Sequence, residues 1–95
     1  MAKAKKLSLR ALVKGRVQGV GFRCFAMEQA QRLGLTGWVR NLPEGGVEIE
    51  AAGDRGKREQ LLEALGRGPS ASRVESVDSE WLTLRGLGKG FEIRG

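Results

Sequence analysis

Residues 7–34 read LSLRALVKGRVQGVGFRCFAMEQAQRLG, and this stretch predicts a strand, a loop and a helix in succession. Apolar residues alternate with mainly polar ones through 7–16, the period of a half-buried strand, with inward side chains at Leu7, Leu9, Ala11 and Val13. After a glycine-rich loop, apolar residues recur with helical spacing and predict one face of an amphipathic helix: Phe22, Phe25, Ala26, Ala30 and Leu33. Gly34 is expected to end that helix.

The middle of the chain predicts two further strands. Residues 36–42 and 46–53 are each predicted to form a strand, and the proline and glycines within 42–46 predict a turn between them. In the second of these strands apolar residues alternate with acidic ones, so we expect Val47, Ile49 and Ala51 on one face and Glu48 and Glu50 on the other.

The last third of the chain predicts a helix and two strands. Asp54 is placed to cap the helix, and its expected inward residues are Leu61, Leu62 and Leu65. The helix is expected to end at Gly66, Gly68 and Pro69. Residues 74–84 predict a fourth strand, and Phe91 and Ile93 indicate a short last one. This order, βαββαβ plus a terminal strand, is typical of an α+β sandwich of ferredoxin-like type, with two helices on one face of a mostly antiparallel sheet.

Length and composition predict one soluble domain. The 95 residues suffice for a single core, and 40% apolar with 29% charged residues is a globular mixture. No apolar run is long enough to span a membrane, and the basic residues 1–6 are not followed by the apolar stretch of a signal peptide. We therefore expect a flexible basic tail at 1–6, one domain at 7–95, a cytoplasmic location, no membrane partner and a monomer.

The lack of histidine and the presence of one cysteine exclude several kinds of site. A zinc site of Cys and His ligands, a disulfide within the chain and a nucleophile activated by histidine cannot be built. The net charge of +6 points to an anionic partner, a requirement that nucleic acid and anionic small molecules satisfy equally well.

The loop before the first helix predicts an anion site. Glycines at 15, 19 and 21 let the backbone amides approach a ligand, and the helix N-terminus behind them adds unsatisfied N–H groups. Arg23 falls in the first helical turn, where its charge opposes the helix dipole unless an anion compensates it. Phosphate fits both features. From the loop alone, an equally open alternative is that the glycines only turn the chain and Arg23 extends into solvent.

Other phosphate and RNA motifs fit this loop less well. The Walker A and dinucleotide glycine patterns are not completed, and Cys24 lacks the downstream arginine of a phosphatase loop, so we expect it to be a small buried residue. Residues 18–25 partly match an RNA-recognition signature, but that signature belongs on a third strand, where its aromatic residues stack on bases. The predicted third strand instead carries Glu48 and Glu50, whose charges would repel RNA, and this disfavours nucleic acid as a partner.

Asn41 is the second candidate for the site. It ends the second strand just before the turn, a position where asparagine is common without any further role. If this strand end and the glycine loop lie at the same edge of the sheet, its amide can orient a water molecule towards a bound phosphate. Arg40 is expected on the opposite face of the strand from Asn41 and is therefore not included in the candidate site. Trp38 and Trp81 are expected to serve in packing.

Two long motifs resemble the signatures of the acylphosphatase family. Residues 13–23, VKGRVQGVGFR, resemble the first signature, and residues 37–47, GWVRNLPEGGV, running on to Gly53, resemble the second. Residues 72–74 and 90–94 are also similar to the family, so the resemblance covers nearly the whole chain.

The resemblance implies a ferredoxin-like enzyme that hydrolyses acyl phosphates to a carboxylate and inorganic phosphate without a metal or other cofactor. Arg23 would bind the substrate's phosphate, and Asn41 would position the attacking water. The backbone of the loop would cradle the phosphate through Arg16, Val17, Gln18, Gly19, Val20 and Gly21. The implied partners are a small-molecule acyl phosphate and, as product ligand, inorganic phosphate.

Two other functions remain open beside this one. The same fold could serve as a non-catalytic binder of anions or nucleic acid. It could also be the acyl-phosphate domain that occurs as a module of larger maturation proteins, although the short chain and the lack of further domains argue against this.

Overall fold

The computed structural model describes residues 7–83 and 89–94, which form five strands and two helices in the predicted order. Their bounds are β1 Leu7–Arg16, α1 Phe22–Arg32, β2 Thr36–Asn41, β3 Val47–Ala52, α2 Arg55–Arg67, β4 Arg73–Thr83 and β5 Phe91–Arg94. The predicted tail at 1–6, Leu84 at the end of the predicted fourth strand and Gly95 lie outside the described residues.

The strands form one sheet in the order β4-β1-β3-β2-β5. β1 pairs antiparallel with β3 and β4, β2 pairs antiparallel with β3, and β2 pairs parallel with β5. Because β1 and β2 both run antiparallel to β3, they run in the same direction and end at the same edge of the sheet. The loop that follows β1 and the turn that follows β2 therefore meet there, which is the arrangement that the suggested role of Asn41 requires.

A bulge bends the end of β1 against β4. The register shifts between Lys14 and Gly15, so that Gly15 lies opposite Val74 instead of the next residue along β4. Gly15 has φ 127°, a left-handed conformation, and a Cβ atom there would collide with the carbonyl oxygen of Arg73. Glycine is therefore required where the chain leaves the sheet and enters the loop.

Both helices pack on one face of the sheet, with α1 over β2 and β5 and α2 over β1 and β4. The core between the helices and the sheet is apolar, and its residues are fully or almost fully buried. They include Leu9, Ala11, Val13, Phe22, Ala26, Val39, Val47, Ile49, Ala51, Leu61 and Leu65. Of the helices in the described ranges, none is long and apolar enough to cross a lipid bilayer.

Several local predictions for the helices were wrong. Phe25, expected to be a core residue, is only half-buried, and Arg58 and Ala64 of α2 are buried although they were not among its expected inward residues. Leu62 is half-buried but packs against the core, as predicted. Asp54 is at the N-cap position of α2, but its side chain makes no capping hydrogen bond. Gly66 lies within α2, which ends at Arg67 with Gly68 as its C-cap.

The other face of the sheet carries a network of charges. The carboxylate of Glu48 is 2% exposed and receives Arg10 and Arg40 from the neighbouring strands, at 2.7 and 2.6 Å. The guanidinium groups of Arg40 and Arg94 stack on the ring of Trp38, 5.5 and 5.0 Å from its centre. We refer to Arg10, Trp38, Arg40, Glu48 and Arg94 as the open-face cluster.

The predicted acidic surface of β3 is therefore absent. Glu48 and Glu50 are both buried, because β3 lies at the centre of the sheet and longer arginine side chains from its neighbours cover it. On this face RNA would meet guanidinium groups together with the exposed carboxylates of Glu80 and Glu92, which pair with Arg10 and Arg94. The indole of Trp38, however, is only 9% exposed and is covered by two arginines, so it offers no free surface on which a base could stack.

The two arginines lower the pKa of Glu48. Burial by itself would raise the pKa of this carboxyl group, but hydrogen bonds from Arg40 and Arg10, together with their charges, outweigh it, and the net pKa lies below the ordinary value of 4.5. A carboxyl group whose pKa is lower in the folded state contributes stability above its unfolded pKa, and it loses that contribution as the pH falls through its folded pKa.

We expect Glu48→Gln to lower the free energy of unfolding by about 1–2 kcal/mol at neutral pH, less than for a fully buried pair because both guanidinium groups are half-exposed. Since the wild type loses the contribution of Glu48 in acid and the variant has none to lose, the difference should shrink as the pH falls below 4.5. Urea unfolding over a pH series measures it.

Glu59→Gln provides the control, because within residues 7–83 and 89–94 the side chain of Glu59 forms only an exposed pair with Arg55 on α2. Its effect should be small at every pH. A difference between Glu48→Gln and wild type that stays constant from neutral pH into acid would contradict the stabilising role of the charged Glu48.

Candidate functional site

A recess of about 160 Å³ opens at the sheet edge where β1 and β2 end. Such a volume holds several water molecules, and so a phosphate group. The loop after β1, the first turn of α1, the last residue of β2 and the short strand β5 all contribute to it, through Val17, Gly19, Gly21, Phe22, Arg23, Cys24, Asn41 and Ile93.

The start of α1 presents unsatisfied backbone N–H groups beside this recess. Its N-cap is Gly21, with φ 79° and ψ 17°, a left-handed conformation that glycine adopts without strain. No side chain caps the helix, and its first turn contains no acidic residue. The first amides of α1 and the positive end of its dipole are therefore available to an anion.

Arg23 is the second residue of α1 and lines the recess. Its side chain is half-buried, and it makes no hydrogen bond or ion pair with any residue in the described ranges. A cation in the first turn opposes the helix dipole at a cost of about 0.3–1 kcal/mol. An anion in the recess would offset that cost and could accept a bidentate pair of hydrogen bonds from the guanidinium group.

Asn41, the last residue of β2, lines the same recess as Arg23. Its Oδ1 atom is shielded from solvent and accepts no hydrogen bond from the residues that the structure describes. Buried side-chain oxygens are nearly always hydrogen-bonded, and an exception requires an explanation, such as a ligand or a catalytic role. Arg40 belongs to the open-face cluster, as the alternation along β2 predicted.

The structure brings only some of the predicted loop residues to the recess. Val17, Gly19 and Gly21 line it, although the side chain of Val17 is buried in the core, so Val17 can contact a ligand only through its backbone. Arg16, Gln18 and Val20 are not among the lining residues. The side chain of Gln18 points instead to the turn after β2, and a role of these three in phosphate binding through backbone amides remains a prediction.

Cys24 was predicted to be buried, and this was wrong. It is exposed and lines the recess beside Arg23. Phe22 and Ala26 belong to the buried face of α1. Cys24 lies two residues from each of them and is therefore on the opposite, exposed side of the helix. Sequence reasoning also did not place Phe22 and Ile93 at the recess, and the parallel pairing of β5 with β2 that brings Ile93 there leaves no local sequence signal.

A metal site is not formed by the described residues. They contain no group of three or more His, Cys, Asp or Glu side chains that could hold a metal ion. The recess instead combines a guanidinium group, backbone amides and one side-chain amide, a set of groups that suits an oxyanion such as phosphate.

Comparison with known proteins gives the family. The acylphosphatase family model matches residues 9–93. An acylphosphatase of Thermus thermophilus is 51% identical over 85 residues, which cover 90% of this chain and 96% of that protein. The crystal structure of acylphosphatase from Bacillus subtilis has a TM-score of 0.90 at 36% identity and covers 94% of this chain and 99% of that one. The structure of HypF from T. kodakarensis has a TM-score of 0.81 at 29% identity, but the match covers only 12% of that much longer chain.

The fold and the recess define an α+β protein of ferredoxin-like type with a cationic recess at one edge of its sheet. The chain belongs to the acylphosphatase family. The predicted fold class and the predicted family are both confirmed.

The exposure of Cys24 permits a direct test of the recess. We expect the one cysteine of the chain to react with Ellman's reagent in the native protein, without denaturant, because its side chain is exposed. Inorganic phosphate should slow that reaction by occupying the recess that Cys24 lines. The rate of thiol modification, followed by absorbance, measures both effects.

Chloride at matched ionic strength is the control, because it screens charge without reproducing the geometry of phosphate. A thiol that reacts only after unfolding would contradict the position of Cys24. A rate that is the same in phosphate and in chloride would show that phosphate does not occupy the recess.

Proposed function

We propose that this member of the acylphosphatase family hydrolyses the carboxyl–phosphate bond of acyl phosphates in the recess between the glycine loop and Asn41. Arg23 and the backbone amides of Arg16–Gly21 bind the substrate's phosphate, and Asn41 positions the attacking water. One observation carries the proposal: Asn41, whose buried Oδ1 has no hydrogen-bond donor among the described residues, lines the same recess as Arg23.

Phosphate binding rests on charge and on the helix end. Arg23 supplies a positive charge that no described carboxylate neutralises, and the uncapped first turn of α1 supplies N–H donors beside it. These donors are held by the helix before substrate arrives, so that little reorganisation is needed when negative charge develops on the phosphate oxygens in the transition state. Product inorganic phosphate would bind the same groups.

Asn41 is suited to orient water, not to deprotonate it. Its Oδ1 accepts a hydrogen bond from the water, directing the water oxygen towards the phosphorus of the bound phosphate. An amide has no useful basicity, so the proton that the water loses passes to an oxygen of the substrate's own phosphate. Orientation of two reactants in this way can supply several kcal/mol of the barrier reduction.

The reaction balances with these groups alone. The water oxygen forms a bond to phosphorus, the bond between phosphorus and the acyl oxygen breaks, and the carboxylate leaves with the electron pair. Because a carboxylic acid has a pKa of about 4, the leaving group needs no general acid at neutral pH. The proposed reaction therefore uses no cofactor and no metal, and its catalytic power comes from positioning and charge stabilisation.

The setting of the enzyme is part of the same proposal. The loop, the helix end and the strand end that form the recess all come from one chain, so a monomer holds every group that the reaction uses. A small-molecule acyl phosphate is the partner, and the cytoplasm is the compartment that we propose for it.

We expect Arg23→Ala and Asn41→Ala to separate phosphate binding from turnover. Loss of Arg23 should lower kcat/KM for benzoyl phosphate by at least about 10²–10³-fold and weaken inhibition by inorganic phosphate, because it removes a charge that contacts the phosphate itself. Loss of Asn41 should lower kcat strongly while leaving phosphate inhibition nearly unchanged, because Asn41 acts on the water. Ultraviolet absorbance follows the loss of benzoyl phosphate, with excess EDTA present.

Arg32→Ala is the matched control, since Arg32 is an exposed arginine in the last turn of the same helix and, among the described residues, its side chain bonds only to Gln29. Its kinetics should equal those of the wild type. Unchanged turnover in Asn41→Ala would refute the water-positioning role. Folded wild-type protein that binds phosphate but does not hydrolyse benzoyl phosphate would favour the alternative function, an anion binder.

A further inference from the structure

Gln18 lies in the middle of the phosphate loop, yet its side chain turns away from the recess. Its Nε2 donates two hydrogen bonds to backbone carbonyls of the turn between β2 and β3, to Leu42 O at 2.7 Å and to Gly46 O at 2.8 Å. Both protons of the amide are thereby used. The side chain is half-buried, so these hydrogen bonds are partly shielded from competing water.

The two carbonyls belong to the closing hydrogen bonds of the turn. Leu42 N donates to Gly46 O at 2.8 Å, and Gly45 N donates to Leu42 O at 3.0 Å. Each carbonyl therefore accepts one hydrogen bond from the turn itself and a second from Gln18. The turn is held in shape by its own backbone, and Gln18 holds the loop to that preformed structure.

This contact joins the two halves of the recess. Gln18 immediately precedes Gly19–Gly21 and the start of α1, while Leu42 immediately follows Asn41. Within residues 7–83 and 89–94, no other hydrogen bond connects the loop at 17–21 with the strand end and turn at 41–46. The sheet and the core hold both segments, and Gln18 adds the direct hydrogen-bonded link between the phosphate loop and the turn that follows Asn41.

Direct binding of phosphate by the Gln18 side chain fits these contacts poorly. Its two N–H donors are already directed at carbonyls, and the remaining Oε1 is an acceptor, which an anion would repel. A general role in stability is the simpler alternative to a role in the reaction, and the experiment has to separate the two.

We propose that Gln18 is a positioning residue, which holds the phosphate loop at the distance from Asn41 that aligns the attacking water with the bound phosphate. This inference rests on the proposed function. The side chain of Gln18 touches neither substrate nor water and acts through Asn41. An error of about 1 Å in the placement of reacting groups can cost up to about 10²-fold in rate.

Gln18→Met tests the proposal, because methionine has similar length but donates no hydrogen bond. We expect kcat for benzoyl phosphate to fall by about 10-fold to 10²-fold, with little change in inhibition by inorganic phosphate. In the Asn41→Ala background, the same substitution should change kcat by less than about twofold, since no water-positioning amide remains to be misplaced. Gln60→Met, at an exposed glutamine of α2, is the matched control and should leave kcat unchanged.

A second variant adds a readout that a purely structural role would not move. Gln18→Glu keeps the shape of the side chain, but its carboxylate cannot donate at neutral pH, whereas the protonated form can donate one hydrogen bond. We expect the kcat of Gln18→Glu, relative to that of the wild type, to recover as the pH is lowered. Gln18→Met should show no such recovery. If thermal melting shows that Gln18→Met does not fold, the pH profile of Gln18→Glu relative to that of the wild type still tests the proposal.

The outcomes separate this inference from the function on which it rests. Wild-type activity together with a Gln18→Met kcat within about twofold of the wild type would overturn the inference alone. Losses in Gln18→Met and Asn41→Ala that simply multiply in the double variant would overturn it as well, because they would show independent effects. Folded wild-type protein without hydrolysis would overturn the proposed function and this inference together.

Discussion

The site depends on one topological constraint, the pairing of β1 and β2 on opposite sides of β3. Because each is antiparallel to β3, both strands point the same way and end at one edge of the sheet. The loop that follows β1 leads into the first turn of α1 and carries Arg23 to that edge, and β2 delivers Asn41 to it. Residues far apart in sequence therefore line one recess because of the strand pairing. The hydrogen bonds of Gln18 are an additional link between the two segments.

The arginines of the open-face cluster and Arg23 differ in whether nearby carboxylates compensate their charge. In the open-face cluster, Arg10 and Arg40 share the buried carboxylate of Glu48, and Arg94 pairs with Glu92, so their charges are largely compensated. Arg23 has no such partner among the described residues. The net charge of +6 therefore says little by itself, and the position of an uncompensated arginine in a recess beside an uncapped helix end indicates where an anion would bind.

The sequence predicted best those features of the site that depend on local patterns of residues. Arg23 in a first helical turn and Asn41 at a strand end follow from helix periodicity and alternation, whereas their meeting at one edge was only a possibility until the strand pairing was known. Sequence patterns could not predict side-chain environments that depend on residues distant in the chain. The burial of Glu48 requires arginines from two adjacent strands, and the two hydrogen bonds of Gln18 require a turn more than twenty residues away. Cys24 was misjudged from its small size, although its helical position already argued for exposure.

A phosphate titration followed by NMR tests most directly the central claim that this sheet edge holds the anion site. With amide and arginine side-chain signals assigned, inorganic phosphate should shift the signals of Gly19, Gly21 and Arg23 most strongly and the side-chain amide of Asn41 with them. The signals of the open-face cluster should stay in place. The largest shifts at Arg10, Arg40 and Arg94, with Arg23 unaffected, would place the anion on the opposite face of the sheet and contradict the account.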